Sequence, residues 1–173
     1  DWAPGQSSVS WSPDGQNLYA IRRHESRDTL LAISWPAKQV TEIATPGYTE
    51  LSGLSVGRGG ALTLMAAGPV QPTDLITLEA QGRDLQARTL KVRATSGVGL
   101  LDRQSLATPE LLTFAAVDGT PVTMVFHKAV GVDGPAPLIV AVHGGPTSET
   151  ALRWDAQAQY FATRGWGYAA VNH

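Results

Sequence analysis

The first hundred residues repeat themselves, and an internal repeat restricts the possible folds more than any single motif can. Val9-Ser10-Trp11-Ser12-Pro13-Asp14-Gly15-Gln16-Asn17-Leu18-Tyr19-Ala20 reads as a strand, a tight Pro-Asp-Gly turn and a second strand. A shift of 44 positions lays Leu54 to Leu64 over it, with Gly59 on Gly15 and Leu62 on Leu18. The turn glycine therefore recurs where a positive φ is needed. The same shift sets Thr73 to Leu78 over Thr29 to Ser34, and each unit closes on a fourth short strand, Gln39 to Ala44 and Leu85 to Leu90. Four short strands at this spacing are the sign of a propeller blade, which buries its faces only against neighbouring blades. Gly15 and Gly59 are expected in equivalent turns, and Leu18 and Leu62 in equivalent inward positions. Two blades cannot close a ring. A two-sheet β-sandwich is the alternative reading.

The pattern stops after Leu101-Asp102-Arg103-Gln104, and Ala107-Thr108-Pro109-Glu110 makes a proline-marked break. Residues 1–107 and 108–173 are accordingly read as two units. Leu111 to Val117 and Pro121 to Lys128 flank an Asp118-Gly119 turn and predict an antiparallel hairpin. After the turn-rich stretch Val132 to Pro137, the unbroken apolar run Leu138-Ile139-Val140-Ala141-Val142 fits a strand buried on both faces. Trp154 to Thr163 carries a helical spacing, with Gly165 placed to cap its end, and Tyr168 to Asn172 supplies another buried strand. Strand, helix and strand then form a parallel crossover.

Between the run and the helix lies His143-Gly144-Gly145-Pro146-Thr147-Ser148. Paired glycines let the backbone come close to a bound molecule and aim an amide N–H outward from a strand end. Acyl hydrolysis passes through an oxyanion, and fixed amide donors at that point lower the barrier by about 2–4 kcal/mol. His143 itself is read as a strand-end histidine that packs, not as a general base.

Asp118-Gly119-Thr120-Pro121, Gly134-Pro135-Ala136-Pro137-Leu138-Ile139-Val140, His143-Gly144-Gly145-Pro146, Gln159-Tyr160-Phe161-Ala162 and Arg164-Gly165-Trp166 together resemble the start of the catalytic domain in acylaminoacyl and dipeptidyl peptidases of the prolyl oligopeptidase family. The Ser12-Pro13-Asp14-Gly15 turn resembles that family's blade motif. The resemblance implies β-propeller blades followed by a partial α/β-hydrolase domain. It also implies an oxyanion donor at the Gly145 amide, with His143 and Gly144 shaping the loop and Pro146 fixing its exit. The family's nucleophile elbow and its Ser-Asp-His triad are expected beyond His173, so no catalytic triad residue is assigned within the chain. A Gly-x-Ser-x-Gly run does occur at Gly53-Leu54-Ser55-Val56-Gly57. A working elbow joins a strand to a helix and follows the oxyanion loop. Ser55 precedes that loop and leads into another repeat strand, so it is read as part of a blade.

The remaining features mainly exclude. Thirteen basic and fifteen acidic residues are scattered singly, giving a net charge of -2 and no face suited to nucleic acid. No apolar stretch approaches a membrane span. Without cysteine, and with His24, His127, His143 and His173 far apart in sequence, no metal or cofactor is expected. The chain opens Asp1-Trp2-Ala3-Pro4 with neither an initiator methionine nor a basic-then-apolar signal, so the true N-terminus is expected upstream and any targeting signal with it. A cytoplasmic location is the expectation. Implied partners are a short peptide substrate and the remainder of the hydrolase domain, with oligomerisation left open. The competing functions are a carboxylesterase of the His-Gly-Gly type and a non-catalytic propeller module carrying a hydrolase remnant.

Overall fold

The computed structural model describes residues 7–80, 88–97, 102, 105–144 and 149–172. These build three four-stranded sheets and one short helix. The first sheet is an antiparallel meander of β1 (Val9–Trp11), β2 (Asn17–His24), β3 (Arg27–Ser34) and β4 (Gln39–Ile43). The second repeats that order with β5 (Glu50–Val56), β6 (Leu62–Gly68), β7 (Gln71–Ala80) and β8 (Arg88–Thr95). Both sheets are blade-like, and they form no closed ring.

One apolar core joins them. Tyr19, Leu30, Ala32 and Ile43 of the first sheet meet Leu51, Leu54, Leu62, Leu64, Ile76 and Leu78 of the second, all nearly inaccessible to solvent. Here the expected equivalence needs a correction. Strand pairing does match Leu18 with Leu62, since Leu18 sits opposite Ile33 and Leu62 opposite Leu78. Yet Leu62 points into the shared core, whereas Tyr19 is the core residue of β2 and Leu18 lies on the other face. The sheets thus stack head to tail, as blades do, and matched residues look in the same rotational sense. A face-to-face sandwich would instead bury both. The outer face of the first sheet is left with an apolar cross-strand row, Trp11, Leu18, Ile33 and Val40.

The expected turn match also slips by one. The residue at positive φ in the second turn is Gly60 (φ 79°), matching Gly15 (φ 68°), and Gly59 precedes it. Each of these two glycines donates its N–H three residues back, Gly15 to Ser12 and Gly60 to Gly57. The cause is a second turn one residue shorter, as the pairs Trp11 with Leu18 and Val56 with Leu62 show. A register irregularity between Ala66 and Gly68 then offsets β7, so Ile33 matches Leu78 instead of Thr77. The fourth strand of the second sheet starts at Arg88 and runs past the expected end, because β7 is ten residues long against eight for β3. Residues 81–87, which include the expected start at Leu85, lie outside the described residues.

The third sheet is mixed, in the order β11-β12-β10-β9. β9 (Glu110–Ala115) and β10 (Pro121–His127) form the hairpin around Gly119, which takes φ 85°. β11 (Leu138–Val142) runs parallel to β12 (Gly167–Val171), and the helix α1 (Ala156–Ala162) lies between them in sequence. The helix starts later than the spacing suggested because Asp155 caps it, its carboxylate accepting the N–H groups of Gln157 and Ala158 at 2.9 and 3.0 Å. Gly165, at φ 82°, ends it by donating to the carbonyl of Ala162.

β11 is not buried on both faces. It is the sheet's edge, with Leu138, Val140 and Val142 each more than half exposed, while Ile139 and Ala141 pack over Ala158, Tyr168 and Ala170. The doubly buried strand is β12. Among the described residues no helix is long and apolar enough to cross a membrane.

A close backbone approach fixes the far end of the second sheet: a Cβ at Gly68 would run into the carbonyl oxygen of Gly47. Gly68→Ala should destabilise the protein by about 1–3 kcal/mol. Gly59→Ala, which meets nothing, should shift stability by less than about 0.5 kcal/mol. Urea midpoints of the two variants check this.

Candidate functional site

The C-terminal end of β11 is where the sheet can present chemistry, because the chain leaves a strand end there beside a crossover. Val142 closes the strand and His143-Gly144 follow it. Gly145 and Pro146, the expected oxyanion donor and loop exit, lie outside the described residues, as do Thr147, Ser148 and His173. The chain is described again from Glu149, and there it is pinned.

The pin is the tip of the β2–β3 hairpin. Ser26 is fully buried, and its N–H and hydroxyl both donate to Glu149 Oε1, at 2.8 and 3.2 Å. The Ser26 carbonyl accepts the N–H of Leu152 at 2.7 Å, and the Thr49 hydroxyl donates to the Leu152 carbonyl. Arg153 reaches Glu50 at 3.4 Å. Asn172, just past β12, closes the arrangement. Its Oδ1 accepts Thr150 N–H at 2.7 Å, and its Nδ2 donates to Ser26 Oγ at 3.2 Å and Thr123 Oγ1 at 3.3 Å.

Beside this junction lies a cleft of about 270 Å³, with His127, His143, Glu50, Glu149, Arg153 and Asp155 among its lining residues. The structure thus gathers two histidines that the sequence keeps apart. His24 ends β2 on the surface. His127 is almost completely buried, packs edge-on to Tyr168 at 6.4 Å, and neither ring nitrogen has a protein hydrogen-bond partner among the described residues. Burial lowers its pKa from the ordinary 6.5, and the nearby Asp155 carboxylate offsets this only in part. Burial also raises the Tyr168 hydroxyl, with Asp155 adding to the shift. Among the described residues no group of three or more His, Cys, Asp or Glu side chains could hold a metal ion.

Ser55 sits apart from this cleft. It is exposed on β5 opposite Thr63, just after a bulge where Gly53 takes φ 64°, and β5 leads through a turn into β6 instead of into a helix.

No family model matches the sequence, and no curated protein matches it. Solved structures do match. A Mycobacterium tuberculosis puromycin-hydrolyzing peptidase superposes with a TM-score of 0.83 at 21% identity, over 99% of this chain and 26% of its own. A puromycin hydrolase gives 0.80 at 21% identity, with the same coverage, and a prolyl endopeptidase gives 0.73 at 18%, over 99% and 24%. The chain shares its fold with part of peptidases of the prolyl oligopeptidase family. It spans about a quarter of the length of the chains it matches.

The buried histidine generates a pH dependence. A base with a pKa below its unfolded value takes up a proton more readily when unfolded. Its stabilising effect is therefore present above pH 6.5 and is lost as pH falls. His127→Phe should flatten the decline in melting temperature between about pH 6.5 and 5 relative to the parent. Thermal unfolding across that range measures it.

Proposed function

We propose that the chain is the propeller-to-catalytic-domain segment of a serine peptidase of the prolyl oligopeptidase family, acting on short peptides by acylaminoacyl or dipeptidyl release. The observation that carries this reading is the likeness in fold to solved peptidases over 99% of the chain. The His143-Gly144-Gly145-Pro146 run, placed at the C-terminal end of β11, supports it. In this reading residues 1–107 are closing propeller blades and 108–173 open an α/β-hydrolase domain. The strand order β11-β12-β10-β9, with a helix in the parallel crossover, suits that opening. Ala107 stands at the join, and its N–H and carbonyl are both taken by the Gln159 side chain of α1.

The chemistry then follows the serine route. A serine supplied beyond this chain attacks the substrate carbonyl, a histidine takes the serine proton and passes it to the leaving amine, and an aspartate orients that histidine. The Gly145 N–H donates to the oxyanion, with His143 and Gly144 shaping the approach and Pro146 fixing the exit. The remainder of the hydrolase domain covers the exposed edge and side chains of β11, which would otherwise template aggregation.

Turnover of an acyl-peptide or dipeptide ester by the full-length protein tests this. Gly145→Pro should lower turnover by about a hundredfold or more with thermal stability retained. Ser55→Ala should leave both turnover and labelling by a serine-directed fluorophosphonate unchanged. Labelling lost in Ser55→Ala would move the nucleophile to β5, and no labelling of the parent protein would favour a non-catalytic module.

A further inference from the structure

Two buried carboxylates stand at the rim of the core shared by the first two sheets, and they are satisfied very differently. Asp28, on β3, receives Arg23 Nε on Oδ1 and Arg23 Nη2 on Oδ2, each at 2.8 Å, and Oδ2 also accepts the Leu51 N–H at 2.8 Å. Asp74, on β7, is likewise buried, at 3% exposure. Its Oδ2 accepts the Tyr48 hydroxyl at 2.7 Å and Gln71 Nε2 at 2.9 Å. Both donors are neutral. The contrast arises in the pairing, because the residue opposite Asp28 is Arg23 and the residue opposite Asp74 is Ala66. Among the described residues no cationic side chain forms an ion pair with Asp74, and its Oδ1 has no hydrogen-bond donor.

An ionised carboxylate withdrawn from water without a counterion is strongly destabilising. Asp74 is withdrawn, and it borders a cleft of about 590 Å³, within the range of small-molecule sites. The other walls are mostly apolar: Pro46, Tyr48, Pro69, Val70, Leu90 and Val92. Leu90 and Val92 pair with Leu78 and Ile76, the β7 residues that face the first sheet. The cleft therefore opens on the face of the second sheet that turns toward the first, beside the Pro46–Tyr48 connection, and a further sheet stacked on the opposite face of the second would not fill it.

We propose that this cleft binds a primary ammonium carried on a small apolar body, with Asp74 Oδ1 accepting the charge-assisted hydrogen bond. A neutral ligand would leave the carboxylate uncompensated, and a single carboxylate among neutral groups is a poor ligand set for a metal ion. The site is separate from the cleft beside His143, so it stands whether or not the peptidase reading holds.

Calorimetric titration of the full-length protein with 2-phenylethylamine at pH 7 tests it. Saturable binding is expected, weaker by about tenfold or more for 2-phenylethanol, which keeps the shape and loses the charge. Asp74→Asn should lose affinity to the same extent. Val70→Trp, which fills the cleft from the turn and leaves Asp74 in place, should abolish binding. The alcohol comparison uses the parent protein and needs no variant to fold. No saturable binding of the amine, equal binding of the alcohol, or unchanged affinity in both variants overturns the proposal.

Discussion

A hairpin tip that buries Ser26 ties the first sheet to the C-terminal part of the chain. The two-residue hairpin turn of type I′ needs positive φ at both central positions, which is why Asn-Gly and Asp-Gly are preferred there. Here Glu25 and Ser26 take φ 49° and 60°, a conformation that side-chain-bearing residues resist. Ser26 is also out of contact with water, so its N–H, carbonyl and hydroxyl must all find partners within the protein. They find them in Glu149, Leu152 and Asn172, on the far side of the chain. Two separate apolar clusters, one between the repeated sheets and one under α1, are bridged at this point by polar groups. Breaking one partner would strand the others, so the junction is specific in a way that an apolar contact would not be.

This junction bears on chemistry through the chain itself. Only residues 145–148 separate Gly144, at the end of β11, from the Glu149 that Ser26 holds. Thr150 is held in turn by Asn172, the residue at the end of the neighbouring strand β12. Head-to-tail stacking shapes the rest of the surface. It commits one face of each repeated sheet to the shared core and leaves the outer face of the first with the Trp11, Leu18, Ile33 and Val40 row, alongside the edge-on pair of Trp11 and Trp35. The proposed peptidase gives a cover to both this row and the edge of β11.

Much of the architecture was legible because it is local. Turn residues punctuate the strands, the repeat announces two like sheets, and Asp118-Gly119 places a hairpin. The errors are of single residues, and in sheets a single residue changes the face. The second turn is one residue shorter, and so Gly59 gave way to Gly60; β7 carries an irregularity, and so Thr77 gave way to Leu78. An apolar run also looks the same whether its neighbours lie within the chain or outside it. For that reason β11 read as buried and proved to be an edge. The Asp155 cap could have been found, since an Asp before a helical run is a recognised start signal. The contacts of Ser26 with Glu149 and Asn172 could not, because they join positions more than a hundred residues apart and no local pattern encodes them. His127 was invisible for the same reason: its strand was legible, but the Tyr168 ring packed against it comes from β12, and the carboxylate that partly offsets the pKa-lowering effect of burial comes from Asp155, the residue before α1.

The account rests on that hairpin tip being buried and held, and amide hydrogen exchange reads it directly. A free two-residue hairpin tip exchanges quickly, whereas a buried N–H bonded to a carboxylate exchanges only when the junction opens. In the full-length protein the Ser26 amide should be protected about as well as the central amides of β2 and β3. Glu149→Ala should remove that protection while leaving those strand amides unchanged. Rapid exchange at Ser26 in the parent protein, or protection that survives Glu149→Ala, would contradict the account.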